Sequence, residues 1–547
     1  MLIRAGTSTS RRDQTEGDEA GHGAWPARWS WALGRARAAA TVLALAWVLG
    51  GCSEGPEAGS GQAAPGGTAG VGGARPVGGG DGRAVVRSVV MVCLDTLRAD
   101  RLEAYGYGRP TSPNLDALAS RSVVFDQARA QAPQTAPSHA SLFTSEYPGA
   151  HGIINVHGSN PEMRKLPAGV TTLAEFLSQQ GITTAAFVSG GNLTRRMDMH
   201  RGFGLWDERN EDIAQRLAAA VAWLDQHQDR PFFLFIHSYQ VHAPYLPPPE
   251  YQGPFVDPDY AGPLRERLER YLALPPEAQW EGGVGADYWE GLLDFDAADV
   301  RFLSDLYDAE IAYTDAAIRG LLEAVLTTRR AGDTALVVLS DHGEEFAEHD
   351  KFQHDQVFEE HLRVPLMLRM PGGLERAGWS GRVRSPVTLV DVAPTLADLM
   401  IGRWPSGWQG QSLRPLMDPA TREAADRAPP RPVFSRLVRD PGPQIYRSVV
   451  WNGWKYIHRW QQDIDRTWES LFHLEEDPGE RRDLIASDDP DIRRSLDRLR
   501  ELLEVHTRQS AARAQLLGEG ESVELDPEQR ALLEALGYLG NDEPGAR

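Results

Sequence analysis

Cysteine is nearly missing from this sequence: 547 residues carry only two, Cys52 and Cys93. At most one disulfide can form, so a cystine-stapled scaffold is excluded, and Cys93 is expected inside a core strand. An excess of positive charge is missing too. With 77 acidic against 56 basic residues the formal charge is −21, which repels nucleic-acid phosphates and excludes a nucleic-acid partner on charge balance, while a locally positive or metal-filled cleft stays compatible with it. No internal repeat is evident. Apolar runs are short: Ala38 to Leu49 falls below the roughly 20 residues a membrane-spanning helix needs. What the chain does have is length and 41% hydrophobic content, enough to bury a large core in one big domain with a smaller one beside it.

The run from Ala38 to Leu49 follows Arg35 and Arg37 and ends in Leu49-Gly50-Gly51-Cys52. Basic residues, a short apolar stretch and small residues make a signal peptide. The ending resembles a bacterial lipobox, in which Cys52 becomes the lipidated first residue of the mature chain. Ordinary signal cleavage near Gly51 is the plainer alternative. Residues 1–52 therefore read as signal peptide with lipobox, and residues 53–83, rich in Gly, Ala and Pro, as a flexible tether. Secretion across a bacterial inner membrane is expected, with the product a periplasmic or outer-membrane lipoprotein whose N-terminal lipid anchors it to the membrane.

Beyond the tether, apolar runs at Val85 to Leu94, Thr183 to Val188, Pro231 to Ile236, Ala335 to Leu339 and Pro365 to Met370 alternate with segments of helical spacing. Those segments are Leu115 to Ala119, Leu173 to Leu177, Ile213 to Leu224 and Ile311 to Val325. Alternating short strands and helices predict an α/β fold with a large, mostly parallel sheet sandwiched by helices, spanning 84–430. In such sheets ligands bind beyond the carboxyl ends of the strands, where Asp95 and Asp341 stand. Pro247 to Val300 reads as an insertion near the site. Residues 431–487 change texture to Val433–Arg436, Arg447–Trp451 and Trp454–His458 around Asn452-Gly453, a small antiparallel β subdomain with a hairpin. Residues 488–547 form a charged tail of helical period.

Three motifs carry the chemistry: Asp95-Thr96-Leu97-Arg98-Ala99-Asp100, Thr135-Ala136-Pro137-Ser138-His139 and Ser340-Asp341-His342-Gly343. Tyr105-Gly106-Tyr107, His242-Ala243-Pro244, Arg363-Val364-Pro365-Leu366 and Asp477-Pro478-Gly479-Glu480 support them. In order and spacing this set resembles the sulfatase family of the alkaline-phosphatase superfamily over roughly residues 85 to 485. The resemblance implies an alkaline-phosphatase-like α/β domain with a four-stranded C-terminal subdomain. It also places Thr135 where the family has the cysteine that is oxidised to formylglycine. Oxidising a secondary alcohol gives a ketone, so Thr135 cannot supply the aldehyde. A threonyl ester must instead be cleaved by incoming water, as in superfamily phosphatases and phosphodiesterases, and its hydroxyl needs a metal or a base to attack at neutral pH.

By the same resemblance, Asp95, Thr135, Asp341 and His342 form the metal-ligand set. His342 stands where family members carry Asn. Its imidazole nitrogen favours zinc or manganese over calcium, as one or two ions. His139 replaces an Arg, His354 a Lys, and His242 matches the histidine that protonates the leaving oxygen; a site rich in His exchanges protons near neutral pH. Thr96, His237 and His349 are candidates for a second metal or for support.

Taken singly, each has a plainer reading: Asp-His-Gly as a helix cap, Thr-Ala-Pro-Ser-His as a turn into a helix, His237 and His349 as structural residues. Asp308, Glu310 and Asp315 read as the polar face and packing contacts of one helix. The expected activity is metal-dependent hydrolysis of sulfate or phosphate esters on a small-molecule, glycan or lipid substrate, leaning to phosphate mono- or diesters or phosphonates. Two alternatives are an envelope phospho-alcohol transferase working through phosphothreonine, and a degenerate sulfatase that only binds glycans.

Overall fold

The computed structural model describes residues 83–155, 163–209, 211–227, 229–275, 295–327, 329–439, 444–536 and 538. The expected signal peptide, lipobox and Cys52, and nearly all of the tether, lie outside the described residues. Among those described, no helix is long and apolar enough to cross a membrane.

The first strand, β1 (Ser88–Leu94), is buried along its whole length. Val89, Met91 and Cys93 enter one core while Val90, Val92 and Leu94 enter another. Side chains alternate along a strand, so a continuous apolar run means a sheet covered on both faces. The remaining strands of that sheet are β2 (Val123–Phe125), β3 (Thr183–Phe187), β4 (Leu205–Asp207), β5 (Phe232–Ser238), β6 (Thr334–Leu339), β7 (Leu366–Arg369) and β8 (Gly381–Val383). Their order is β8-β2-β7-β6-β1-β5-β3-β4. Only β7 runs antiparallel to its neighbours. Helices α1 (Thr135–Thr144) and α4 (Val392–Ile401) cover one face, while α2 (Ile213–Gln226) and α3 (Ala297–Leu326) cover the other.

Helix α3 starts well before the segment Ile311 to Val325 that periodicity marks, and so takes over the end of the expected insertion. A reciprocal cap fixes its start: Asp296 accepts from the Asp299 amide at 3.0 Å, and Asp299 accepts from the Asp296 amide at 2.9 Å. Residues 276–294 of that insertion lie outside the described residues.

The second sheet is antiparallel and in chain order: β9 (Val433–Arg439), β10 (Gln444–Trp451), β11 (Trp454–Gln461) and β12 (Arg466–His473). Asn452 and Gly453 both take positive φ, 54° and 82°, the requirement of a two-residue hairpin whose twist matches its strands. The fourth strand escapes the sequence pattern because only Leu471 and Phe472 of its eight residues are buried. Helix α5 (Pro490–Leu517) lays Leu496, Leu499 and Leu503 against Val449, Tyr456 and Leu471 of this sheet. The chain then pairs Ser522–Val523 with Met163–Arg164 and continues into a short helix, α6 (Pro527–Ala535).

Candidate active site

Strands β5, β1 and β6 are parallel neighbours, so their carboxyl ends lie side by side. There β5 carries His237, β1 runs into Asp95, and β6 runs into Asp341 and His342. Helix α1 begins at the same edge with Thr135 as its first residue. The turn after Asp95 is sharp. Thr96 takes φ 57°, and its hydroxyl donates to the Asp95 carbonyl at 2.8 Å, so it serves the turn; a non-glycine residue held left-handed marks a backbone over-determined by its surroundings. The turn after His342 needs Gly343, because a Cβ there would meet the Glu360 carbonyl at 1.9 Å.

Thr135 Oγ1 lies 3.2 Å from Asp95 Oδ2 and 3.4 Å from His342 Nε2. His237 Nε2 lies 2.9 Å from the same Asp95 oxygen. His342 Nδ1 faces the Gly343 carbonyl at 3.0 Å. A carbonyl only accepts, so in the neutral ring Nδ1 holds the proton and Nε2 presents a lone pair. That lone pair points at Asp341 Oδ2, 3.4 Å away, and Asp95 Oδ1, 3.6 Å away. Asp95 Oδ1 and both Asp341 oxygens are buried without a hydrogen-bond partner. Three electron-rich atoms thus converge in a buried place, all within 4.8 Å of one another. Buried charges demand compensation, and a divalent cation held by Asp95, Asp341 and His342 would supply it. The donors fit a metal.

Electrostatics of the site agree. Burial, reinforced by the Asp341 charge, pushes the Asp95 carboxyl well above its ordinary range. Burial acts likewise on Asp341, but the imidazoles of His342 and His139 outweigh it and hold that carboxyl far below. One of two adjacent carboxylates takes the proton that a cation would replace. His139 sits one turn into α1, its Nδ1 donating to the Thr135 carbonyl at 2.9 Å and lying 3.4 Å from Asp341 Oδ2. Its Nε2 is buried and unpartnered.

A second group stands on the other side of Thr135. His242 Nδ1 donates to the Ala243 carbonyl at 2.6 Å, again leaving Nε2 bare in the neutral ring. Burial, with His354 adding to it, pushes His242 down to about 3. Glu344 holds His354, with Oε1 3.3 Å from its Nδ1, while the Tyr245 hydroxyl donates to Oε2 at 3.0 Å. Between His242 Nε2 and His354 Nε2, at 3.1 and 3.2 Å, sits the hydroxyl of Tyr538 from the far end of the chain, itself 3.1 Å from Thr135 Oγ1.

The structure thus gathers Asp95, Thr135, His139, His237, His242, Asp341, His342 and His354 at one edge. His349 is elsewhere: its Nδ1 pairs with Glu360 at 2.5 Å, and neighbouring His361 with Glu345 at 2.9 Å. Asp308, Glu310 and Asp315 are all buried in α3, Asp308 against Arg101 and Arg109, Glu310 beneath the Leu246 amide, Asp315 against the amides of Asn114 and Leu115. Glu344 and Tyr538 were not legible from sequence. Glu344 follows the Asp341-His342-Gly343 motif directly, which was a usable signal. Tyr538 had none, being one aromatic in a charged tail.

Residues 87–402 match the family described as Sulfatase, and residues 347–509 match N-sulphoglucosamine sulphohydrolase, C-terminal. The chain is 24% identical over 492 residues to a Δ4,5-hexuronate-2-O-sulfatase of Bacteroides thetaiotaomicron, covering 84% of this chain and 95% of that protein. Among solved structures, one in complex with its substrate D-glucosamine-2-N,6-O-disulfate superposes with a TM-score of 0.62 at 20% identity, covering 78% of this chain and 98% of the other. The phosphonate monoester hydrolase of Agrobacterium radiobacter superposes with a TM-score of 0.58 at 19% identity, covering 81% and 100%. At such identities the superpositions establish the fold.

Proposed function

This chain belongs to the sulfatase family of metal-dependent hydrolases, and on that premise we propose that it hydrolyses sulfate or phosphate esters with Thr135 as the nucleophile, leaning to phosphate mono- or diesters or phosphonates. One observation carries this reading. Thr135 presents its hydroxyl at the positive end of α1, facing Asp95 Oδ2 at 3.2 Å and the buried, proton-free Nε2 of His342 at 3.4 Å. Asp95, Asp341, His342 and Thr135 would hold the ion, with zinc or manganese suited to the nitrogen donor. When bound, it lowers the pKa of a coordinated hydroxyl and neutralises charge on the transferred group.

The chain's own residues do the rest. Asp95 Oδ2 lies on the path of the Thr135 proton. His242 takes up a proton at Nε2 when an anionic ester enters, since the added negative charge offsets the burial that now keeps the ring neutral. It passes that proton to the departing oxygen. The ring, neutral again, then draws a proton from the water that cleaves the threonyl ester. His354, held by Glu344, lies on the same side of Thr135 as His242 and adds a second imidazole beside the transferred group.

The test is metal analysis of the purified protein combined with assay of four esters: an aryl sulfate, a phosphate monoester, a phosphodiester and a phosphonate monoester. Metal-loaded protein is expected to turn over at least one, phosphorus esters faster than the sulfate. Loaded protein inert to all four overturns the reading. We further propose that Cys52 carries the lipid that tethers this hydrolase to a bacterial membrane, on the strength of Leu49-Gly50-Gly51-Cys52 and the Gly/Ala/Pro stretch behind it.

A further inference from the structure

The last described residue of the chain occupies the place an ester must take. Tyr538 is 2% exposed, and its ring stands 5.6 Å from the ring of His242 and 5.7 Å from that of His354, centroid to centroid. Its hydroxyl touches the nucleophile and both leaving-side imidazoles. An atom about to be attacked must approach Thr135 Oγ1 to about 3–3.5 Å. The Tyr538 oxygen already holds that distance, 3.1 Å, on the side where His242 and His354 meet. Tyr538 and a bound ester therefore exclude each other.

The element that delivers Tyr538 is held by a few apolar anchors and by partly exposed polar ties. Helix α6 is capped by Asp526, which accepts from the Gln529 amide at 2.8 Å. Its polar ties to the α/β domain include the Arg196–Asp526 ion pair at 2.7 Å and a bond from Gln529 Nε2 to Thr194 Oγ1 at 2.9 Å. Arg196 and Asp526 are both partly exposed, and solvent weakens such pairs. One flank of the helix is open. A cavity of about 910 Å³ lies between Glu528, Gln529 and Leu532 on the helix and Glu208, Gln240 and Tyr313 opposite. Leu533, Leu536 and Tyr538 are the buried anchors.

We propose that Tyr538 is a specificity-determining residue: in the resting chain its phenol fills the place of the ester, and an ester reaches Thr135 only by displacing Tyr538 together with helix α6. This rests on the reading of Thr135 as nucleophile. Access, and with it the choice of substrate, is then set by competition with a segment tethered to the same chain and present at high effective concentration. Esters that bind the site weakly are excluded. Displacement also vacates a slot that has just held an aromatic ring beside His242 and His354, so aryl esters are suitable probes.

The test has two arms on the full chain. In the first, p-nitrophenyl phosphate and p-nitrophenyl sulfate kinetics are compared for native protein, Tyr538→Phe and Arg196→Ala. The expected result is KM lowered several-fold in both variants with kcat held or raised, because one loses the hydroxyl contacts and the other loosens the seat of α6. A drop in kcat of tenfold or more in Tyr538→Phe with KM unchanged overturns the proposal and makes Tyr538 part of the chemistry.

In the second arm, amide hydrogen exchange over residues 527–538 is followed with and without orthovanadate. Exchange there should quicken when vanadate binds. Unchanged or slower exchange in protein that does bind vanadate overturns the proposal, and so does failure of both native protein and Tyr538→Ala to bind it. Vanadate binding to Tyr538→Ala and not to native protein supports it. Protein that turns over no ester yet releases the segment on vanadate binding refutes hydrolysis and leaves the displacement standing. Turnover with the segment unmoved does the reverse.

Discussion

At the scale of single residues, Thr135 and His342 bear the chemistry and give the sharpest tests. Thr135→Ala removes the hydroxyl that faces Asp95 and His342 together, and kcat on the best ester should fall by about 10³-fold or more. An unchanged circular dichroism spectrum would show that the fold survives. Thr135→Ser keeps the hydroxyl and should retain activity at a reduced level, because serine lacks the branched Cβ that restricts the rotamer. Full activity in Thr135→Ala would remove Thr135 as nucleophile. His342→Ala should lose bound metal and activity together, as read by elemental analysis and assay of the same sample. His342→Asn restores an all-oxygen set and should shift retention from zinc or manganese toward calcium. Calcium bound by native protein, with His342→Asn equally active, would contradict the nitrogen-donor argument. Asp95 and Asp341 stood out because each follows an apolar run where ligands gather, whereas Thr135 and His342 were named through the family resemblance. Tyr538 was not, since nothing in a charged tail shows that its end folds back onto Thr135.

At the scale of elements, a buried ionic junction joins the small sheet to the large domain. Lys455 on β11 has no exposed side-chain surface and reaches Glu359 at 3.1 Å and Glu480 at 3.0 Å, while Arg129 pairs with Glu359 at 2.8 Å. Glu480 comes from Asp477-Pro478-Gly479-Glu480, so that motif serves the junction and not the site. Lys455→Ala leaves Glu480 buried without its cation and should cost about 3–5 kcal/mol in urea unfolding. Adding Glu480→Gln should recover part of that loss; no recovery would mean packing, not charge, holds the junction. Strands β1, β5 and β6 were readable as continuous apolar runs. Strands β2, β4 and β8 were not, because three residues are too few to show a period.

At the scale of the whole molecule, one buried histidine makes stability depend on pH in mild acid. His151, 2% exposed, accepts from the Ile153 amide at 3.1 Å, and burial, with the Arg436 charge adding to it, pushes it down to about 3. Unfolded, it titrates near 6.5. Between those values the unfolded chain binds a proton that the folded chain refuses, so stability falls as pH drops from about 6.5 to about 3. The loss from this one group is about 2 kcal/mol by pH 5. His151→Gln should flatten the pH dependence of the urea midpoint between pH 7 and pH 5; an unaltered slope would assign the sensitivity to other groups. On the same scale, Cys52→Ala should release the protein from the membrane fraction without loss of activity. Complete retention in membranes would refute the proposed anchor.

The sequence by itself determined the fold class, because strand and helix periods are local properties, and it determined the donor types of the site, because a hard carboxylate and an imidazole keep their chemistry wherever they are placed. It also settled that Thr135 cannot follow an aldehyde route, a matter of side-chain carbon count. Only the tertiary structure decided which histidines meet. His237 lies against Asp95 because β5 pairs with β1 in that register, and His349 is drawn off by Glu360 although it stands only five residues from His354. Tyr538 reaches Thr135 across 403 residues. Such contacts depend on loop closure and packing between distant segments, and no local pattern encodes them.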